Sequence, residues 1–226
     1  MQLYIGNKNY SSWSMRPWVL LKQTGIPFEE RMVRFDSFDA GSQFKTELLR
    51  LNPVGKVPVL VDDGFPIWDT LAIAEYLAEK FPEKKLWPTD VKARARARSV
   101  CAEMHSGFSA LRTLFGMNIE ASLPEIGKKV LAEKPQAQAE LARIAQMWSE
   151  LLATHKGPLL FGEFTIADAF FAPVVKRIVT YGLPVPAVIQ GYIDRVQALP
   201  SVAAWTKDAL AEEDFLPFEE DYRKSR

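Results

Sequence analysis

Three serines, Ser11, Ser12 and Ser14, stand between a strand-like run, Leu3 to Gly6, and an apolar helical run beginning near Met15. One hydroxyl is enough to cap a helix. A strand that turns into a helix also presents backbone N–H groups and the positive end of the helix dipole, which together stabilise an anion. Ser11 and Ser14 have the S-x-x-S spacing at which a redox protein with this order of elements carries C-x-x-C. Without sulfur the segment cannot exchange disulfides, but a hydroxyl there can donate to a thiolate supplied by a ligand. Ser14 reads as the plain helix cap, and Ser11 and Ser12 are left as candidate donors.

Two further segments carry side chains suited to binding. Pro58 opens an apolar run, which fits an edge strand or a turn. A cis bond after Val57 would instead turn the Val57 N–H and C=O towards a peptide-like ligand. Asp69-Thr70 precedes the helical run "LAIAEYL" and reads either as a capping pair or as a binding pair. In the second case Thr70 and the helix N–H groups take a carboxylate and Asp69 takes an ammonium, which holds an α-amino-acid end.

Farther along, His105, Ser109 and Arg112 recur at i, i+4 and i+7 with Phe108 beside them. That stripe is either a solvated or interdomain salt-bridge side, or a cleft wall where Arg112 binds an anionic acceptor and His105 assists proton transfer. Arg16 adds positive charge near the serines or forms an ion pair. Cys101, Trp18 and Trp87 read as packing, and Thr165 with Asp168 as a capping box.

The elements that must position these residues fall into two parts. Residues 1–81 follow the order β-α-β-α-β-β-α, with Asp63-Gly64 as a hairpin signal, giving a mixed sheet covered by helices. Residues 82–90, "PEKKLWPTD", form a polar, proline-bearing connection. Residues 91–226 read as all-helical. Long stretches run from Val91 to about Phe115 and from Pro124 to about His155, and shorter helices lie near Thr165–Tyr181, Pro186–Leu199 and Val202–Glu213.

The 226 residues carry 28 Lys+Arg against 28 Asp+Glu, a balance that points to no nucleic-acid or membrane-surface partner. With one cysteine and two histidines, the chain offers no internal disulfide and no expected metal site. The N-terminus lacks the pattern of a signal peptide and no apolar run approaches a membrane span, so a cytoplasmic location is expected.

Four segments together resemble the cytosolic glutathione transferases, in particular serine-type bacterial members similar to the zeta class. "YSSWSMR" resembles that class's S-S-C-S-W-R segment, with Trp13 where the class has cysteine. "NPVGKVPVL" resembles N-P-x-x-x-V-P-x-L with its cis-proline, "DTLAIAEYL" resembles [E/Q]-S-x-A-I-x-x-Y-L, and "FTIADAFFAP" resembles the S/T-x-A-D capping motif of the helical domain.

The resemblance implies a thioredoxin-like N-terminal domain, an all-helical C-terminal domain bearing the acceptor pocket, glutathione as co-substrate, a small electrophile as second substrate, and a homodimer. It places Ser11 on the activating serine with Ser12 as its neighbour, Val57 on the backbone partner of the cysteinyl unit, and Asp69 with Thr70 on the γ-glutamyl site. Trp13, Lys56 and Pro58 join the glutathione-binding set. Zeta-like cis–trans isomerisation and a noncatalytic binding module are the alternatives. Lowering a thiol pKa from about 8.5 by about two units takes about 2.7 kcal/mol. A charge-assisted hydrogen bond from Ser11 plus the helix terminus is of that order.

Overall fold

The computed structural model describes residues 1–226. Four short strands, β1 (Gln2–Ile5), β2 (Glu29–Met32), β3 (Val59–Asp62) and β4 (Phe65–Trp68), form one sheet in the order β2-β1-β3-β4. β1 and β2 are parallel, with Gln2 opposite Glu29, whereas β3 runs antiparallel to β1 and β4 antiparallel to β3. The parallel pair needs a crossover, supplied by α1 (Ser12–Thr24), and the antiparallel pair needs only a tight turn. That turn is Asp63-Gly64, both at positive φ, as the hairpin signal implied. α2 (Gln43–Leu48) and α3 (Thr70–Lys80) complete this part, which is the mixed α/β unit expected for residues 1–81.

Seven helices follow: α4 (Val91–Ser106), α5 (Ser109–Leu114), α6 (Pro124–Glu133), α7 (Pro135–His155), α8 (Ile166–Thr180), α9 (Ala187–Ala198) and α10 (Pro200–Glu212). None is long and apolar enough to cross a membrane. α8 is the centre of the molecule. Its sequence, IADAFFAPVVKRIVT, is apolar on nearly every side, and all but one of its residues are buried. α1 packs against α8 and α10, and one buried cluster of 50 residues runs from β1 through α8 to Trp205. The two parts therefore share a core, which fixes the start of α1 against α8.

Both long helical stretches are broken. The first stops at Gly107, and Phe108 adopts a left-handed conformation at φ 54° that places its ring in the core. The new helix α5 starts there because the Glu140 carboxylate of α7 accepts the N–H groups of Leu111 (2.8 Å) and Ala110 (3.4 Å). Local periodicity carries no trace of a cap supplied by a distant helix. The break removes the expected i, i+4, i+7 face shared by His105, Ser109 and Arg112. The second stretch breaks at Lys134, and Pro135 takes the first position of α7, where its missing N–H costs nothing.

Candidate functional site

A cleft between the two parts opens where α1, the start of β3, α3, the α4–α5 corner and α8 meet. It has two compartments of about 410 and 360 Å³ that share Trp13, Lys56 and Val57. The Val57–Pro58 peptide beside them is cis.

The first compartment contains Asp69, Thr70 and His105. Asp69 is the N-cap of α3, and its carboxylate accepts the Leu71 N–H at 2.8 Å. Its φ of 73° lies in a region that non-glycine residues seldom occupy, a strain of about 1–3 kcal/mol typical of functional positions. His105 Nε2 lies 3.1 Å from the Asp69 carboxylate and Nδ1 lies 3.5 Å from the Thr70 hydroxyl. Burial lowers the His105 pKa, and Arg16 and Arg112 lower it further against the pull of Asp69. The ring is therefore neutral at neutral pH. Nε2–H donates to Asp69, and Nδ1 accepts from Thr70. His105 thus orients the two residues at the mouth of α3 and lies on the side away from the serines. The arrangement can hold a carboxylate on the backbone N–H groups at the start of α3, that of Thr70 included, and an ammonium on Asp69.

The second compartment contains Ser11 and Ser12, with Arg112 and Arg177 on its helical side. Ser11, not Ser14, occupies the N-cap of α1, and it makes no side-chain cap bond. Ser14 lies inside the first turn, fully buried, and its Oγ accepts the Gly6 N–H at 3.2 Å. The expectation that Ser14 caps the helix fails because the helix begins at Ser12, three residues before the apolar run does.

Ser11 Oγ and Ser14 Oγ are 2.7 Å apart. If Ser11 supplied the shared proton, the buried Ser14 O–H would have no acceptor. With Ser14 donating, both are satisfied and the Ser11 proton is free to face the cleft. Ser12 Oγ accepts from Arg177 Nη2 at 3.1 Å, which likewise leaves its own proton for the cleft.

Cations line this region without matching carboxylates. Arg16 is almost completely buried, its guanidinium 4.1 Å from the Trp13 ring centre and 4.9 Å from that of Phe170. It forms no ion pair, contrary to one reading of the sequence, and its Nε has no hydrogen-bond partner. Burial, reinforced by Arg177 and Arg112, pulls its pKa down to about 9, so it stays charged at neutral pH. Arg112 lies 5.5 Å from a ring centre of the same indole. Trp13 thus packs against two like charges, and its ring centre lies 5.2 Å from that of His105 in a T-shaped contact.

Sequence reasoning missed several parts of the site. Phe35, Phe38 and Phe44 form an aromatic wall of the second compartment, with ring centres 4.9–5.9 Å apart. Phe38 meets Phe218 of the C-terminal segment at 5.3 Å, which brings Glu219 to the same compartment. Arg177 was the detectable omission, a buried guanidinium in the last turn of a mostly apolar helix. Two expected pocket residues lie elsewhere: Phe108 is in the core and Ser109 is exposed, both consequences of the break at Gly107.

A family model described as the glutathione S-transferase N-terminal domain matches residues 10–80, and one described as the C-terminal domain of the same family matches residues 93–208. The chain belongs to the glutathione S-transferase family. It is 32% identical to a zeta-class glutathione S-transferase of Euphorbia esula, over 75% of this chain and 73% of the relative. It is also 32% identical to the maleylacetoacetate isomerase of Rattus norvegicus, over 77% of this chain and 76% of that one. The crystal structure of a glutathione transferase homologue from Burkholderia, with bound glutathione, superposes with a TM-score of 0.70 at 29% identity, covering 93% of this chain and 98% of the other. As a member of the glutathione S-transferase family, the chain is an enzyme of transferase type with the fold expected from its four motifs.

Proposed function

We propose that the protein binds glutathione across both compartments and transfers it to a small electrophile. The γ-glutamyl end lies at Asp69 and Thr70, the cysteinyl unit pairs with the Val57 backbone beside Pro58, and Lys56 and Trp13 border the tripeptide. The thiol sits at Ser11 and Ser12, where the free hydroxyl protons and the N-terminus of α1 stabilise the thiolate. Residues 1–81 bind glutathione, 82–90 connect, and 91–226 supply the acceptor wall, including Arg112. The protein acts as a cytoplasmic homodimer. The single observation that carries this reading is that Asp69 and Thr70 at the start of α3 and Ser11 and Ser12 at the start of α1 lie in two compartments of one cleft joined at Val57.

Titration calorimetry with glutathione, together with conjugation of a general electrophile, tests it. A chain that binds no glutathione rules it out, and one that binds but conjugates nothing is instead a noncatalytic module. At the amino-acid end, Asp69→Asn keeps the oxygen that caps α3 but loses the charge. Its Kd for glutathione is expected to rise about tenfold, with thermal stability within about 1 kcal/mol of wild type. An unchanged Kd would remove Asp69 from the site.

A second reading is glutathione-dependent cis–trans isomerisation of an unsaturated acid. It is supported by the rat isomerase relative and by Arg16, Arg112 and Arg177, none of which forms an ion pair within the chain. Turnover of a maleyl-type acid at a rate exceeding conjugation would favour it.

A further inference from the structure

Arg177 is 5% exposed, yet its guanidinium makes no ion pair. Nη1 donates to the Phe115 carbonyl at 3.0 Å and Nη2 donates to Ser12 Oγ at 3.1 Å. A buried cation normally has a partner of opposite charge, because desolvation is otherwise too costly. The other charged groups facing it do not fill that role. Arg112 repels it, Arg177 and Arg16 repel each other, and Glu219 shares the compartment without approaching within ion-pair distance. Burial and Asp221 push the Glu219 carboxyl up to about 7, so it is only partly ionised at neutral pH. Burial draws Arg177 down to about 10, which leaves it charged.

We propose that Arg177 is a positioning residue for thiolate formation: by filling the acceptor side of Ser12 Oγ it directs the Ser12 proton to the sulfur, and the thiolate supplied by glutathione is the counter-ion that the buried guanidinium lacks. Two hydroxyls then face the sulfur with unequal support. Ser11 is backed by the neutral Ser14 hydroxyl, whereas Ser12 is backed by a cation. A hydroxyl that accepts from a guanidinium is the more polarised donor, so Ser12 carries more of the thiolate stabilisation than its neighbour. Arg177 and Ser12 are far apart in the sequence and meet only because α8 packs against α1.

The inference rests on the glutathione-transferase reading and deepens it. Its test follows the ultraviolet absorbance of the bound thiolate across pH, together with glutathione affinity, in the full chain. Arg177→Met is expected to raise the bound thiol's pKa by about one unit and to reduce conjugation at neutral pH by about tenfold, with Kd within about threefold of wild type. Arg177→Lys should fall between the two. In the Ser12→Ala background, Arg177→Met should add little, because the hydroxyl through which it acts is gone.

A folded Arg177→Met variant whose bound thiol titrates as in wild type overturns the inference, as do fully additive losses in the double variant. If Arg177→Met does not fold, Arg177→Lys decides, and a thiol titrating as in wild type overturns the inference there too. A wild-type chain that binds no glutathione, or binds it with an unshifted thiol, sinks the transferase reading and this inference together. A lowered thiol pKa that survives the loss of Arg177 sinks this inference alone.

Discussion

Replacing Ser11 and Ser12 together by alanine is expected to lower kcat/KM for glutathione conjugation by about 10²–10³-fold, the usual cost of losing the donors to a developing or bound anion. The expectation follows from what remains. In the proposed binding mode glutathione would still be held at Asp69, Thr70 and Val57, so its Kd should change by no more than a few-fold, but the sulfur would face two methyl groups and the α1 N–H groups alone. A charge-assisted hydrogen bond is worth about 1.5–3 kcal/mol, and the two together cover the roughly 2.7 kcal/mol needed to hold a thiol two units below its free value. The signature is a bound thiol that titrates near its free pKa while binding is retained. Ser11→Ala also removes the acceptor for the buried Ser14 hydroxyl, at a stability cost of about 1 kcal/mol. A double variant that keeps more than a tenth of wild-type kcat/KM would show that the helix terminus and the surrounding arginines suffice.

The largest effect on stability is expected from Asp168→Ala, at about 3–5 kcal/mol, or a fall in Tm of about 10 °C for a chain of this size. Asp168 is fully buried at the start of α8. It accepts the Thr165 N–H at 2.9 Å, the Leu160 N–H at 3.2 Å and the Tyr192 hydroxyl at 3.1 Å. With the Thr165 side chain it forms a capping box. Alanine would orphan those donors in the core beneath the helix that carries Arg177.

The pH dependence has a definite sign. Burial pushes the Asp168 carboxyl up to about 6, above its unfolded value near 4. Its contribution is therefore greatest below pH 4 and declines as pH rises to 6. The penalty of Asp168→Ala should be larger at pH 5 than at pH 8, by about 1 kcal/mol. Denaturant unfolding at the two pH values checks this, and a penalty that grows with pH would contradict the assignment.

Local chemistry made much of the fold legible. Asp63-Gly64 can turn a hairpin, Gly25 can adopt the left-handed cap at φ 65°, and Thr165 with Asp168 can box a helix start, all within a few residues of sequence. What could not be read depends on residues far apart. Glu140 starts α5 from another helix, so the periodicity of residues 91–115 concealed a corner and gave His105, Ser109 and Arg112 a common face they do not have. Ser14 looked like a cap because it precedes the apolar run, whereas its partner is the Gly6 N–H at the end of β1. Trp13, odd in a motif that elsewhere has a thiol, becomes intelligible only when Arg16 and Arg112 are seen against its ring system.

The contact between Phe218 and Phe38 has a practical consequence for anyone who makes this protein. Residues after Asp214 supply part of the wall of the second compartment, with Glu219 against it and Tyr222 tied to the Leu114 carbonyl at 2.8 Å. A stop codon placed there, or an affinity tag fused to the final residue, would therefore reshape the second compartment, in which Ser11 and Ser12 lie, while leaving Asp69 and Thr70 in the first untouched. A tag is better attached at the other terminus, and a library aimed at new substrates should begin in those last residues.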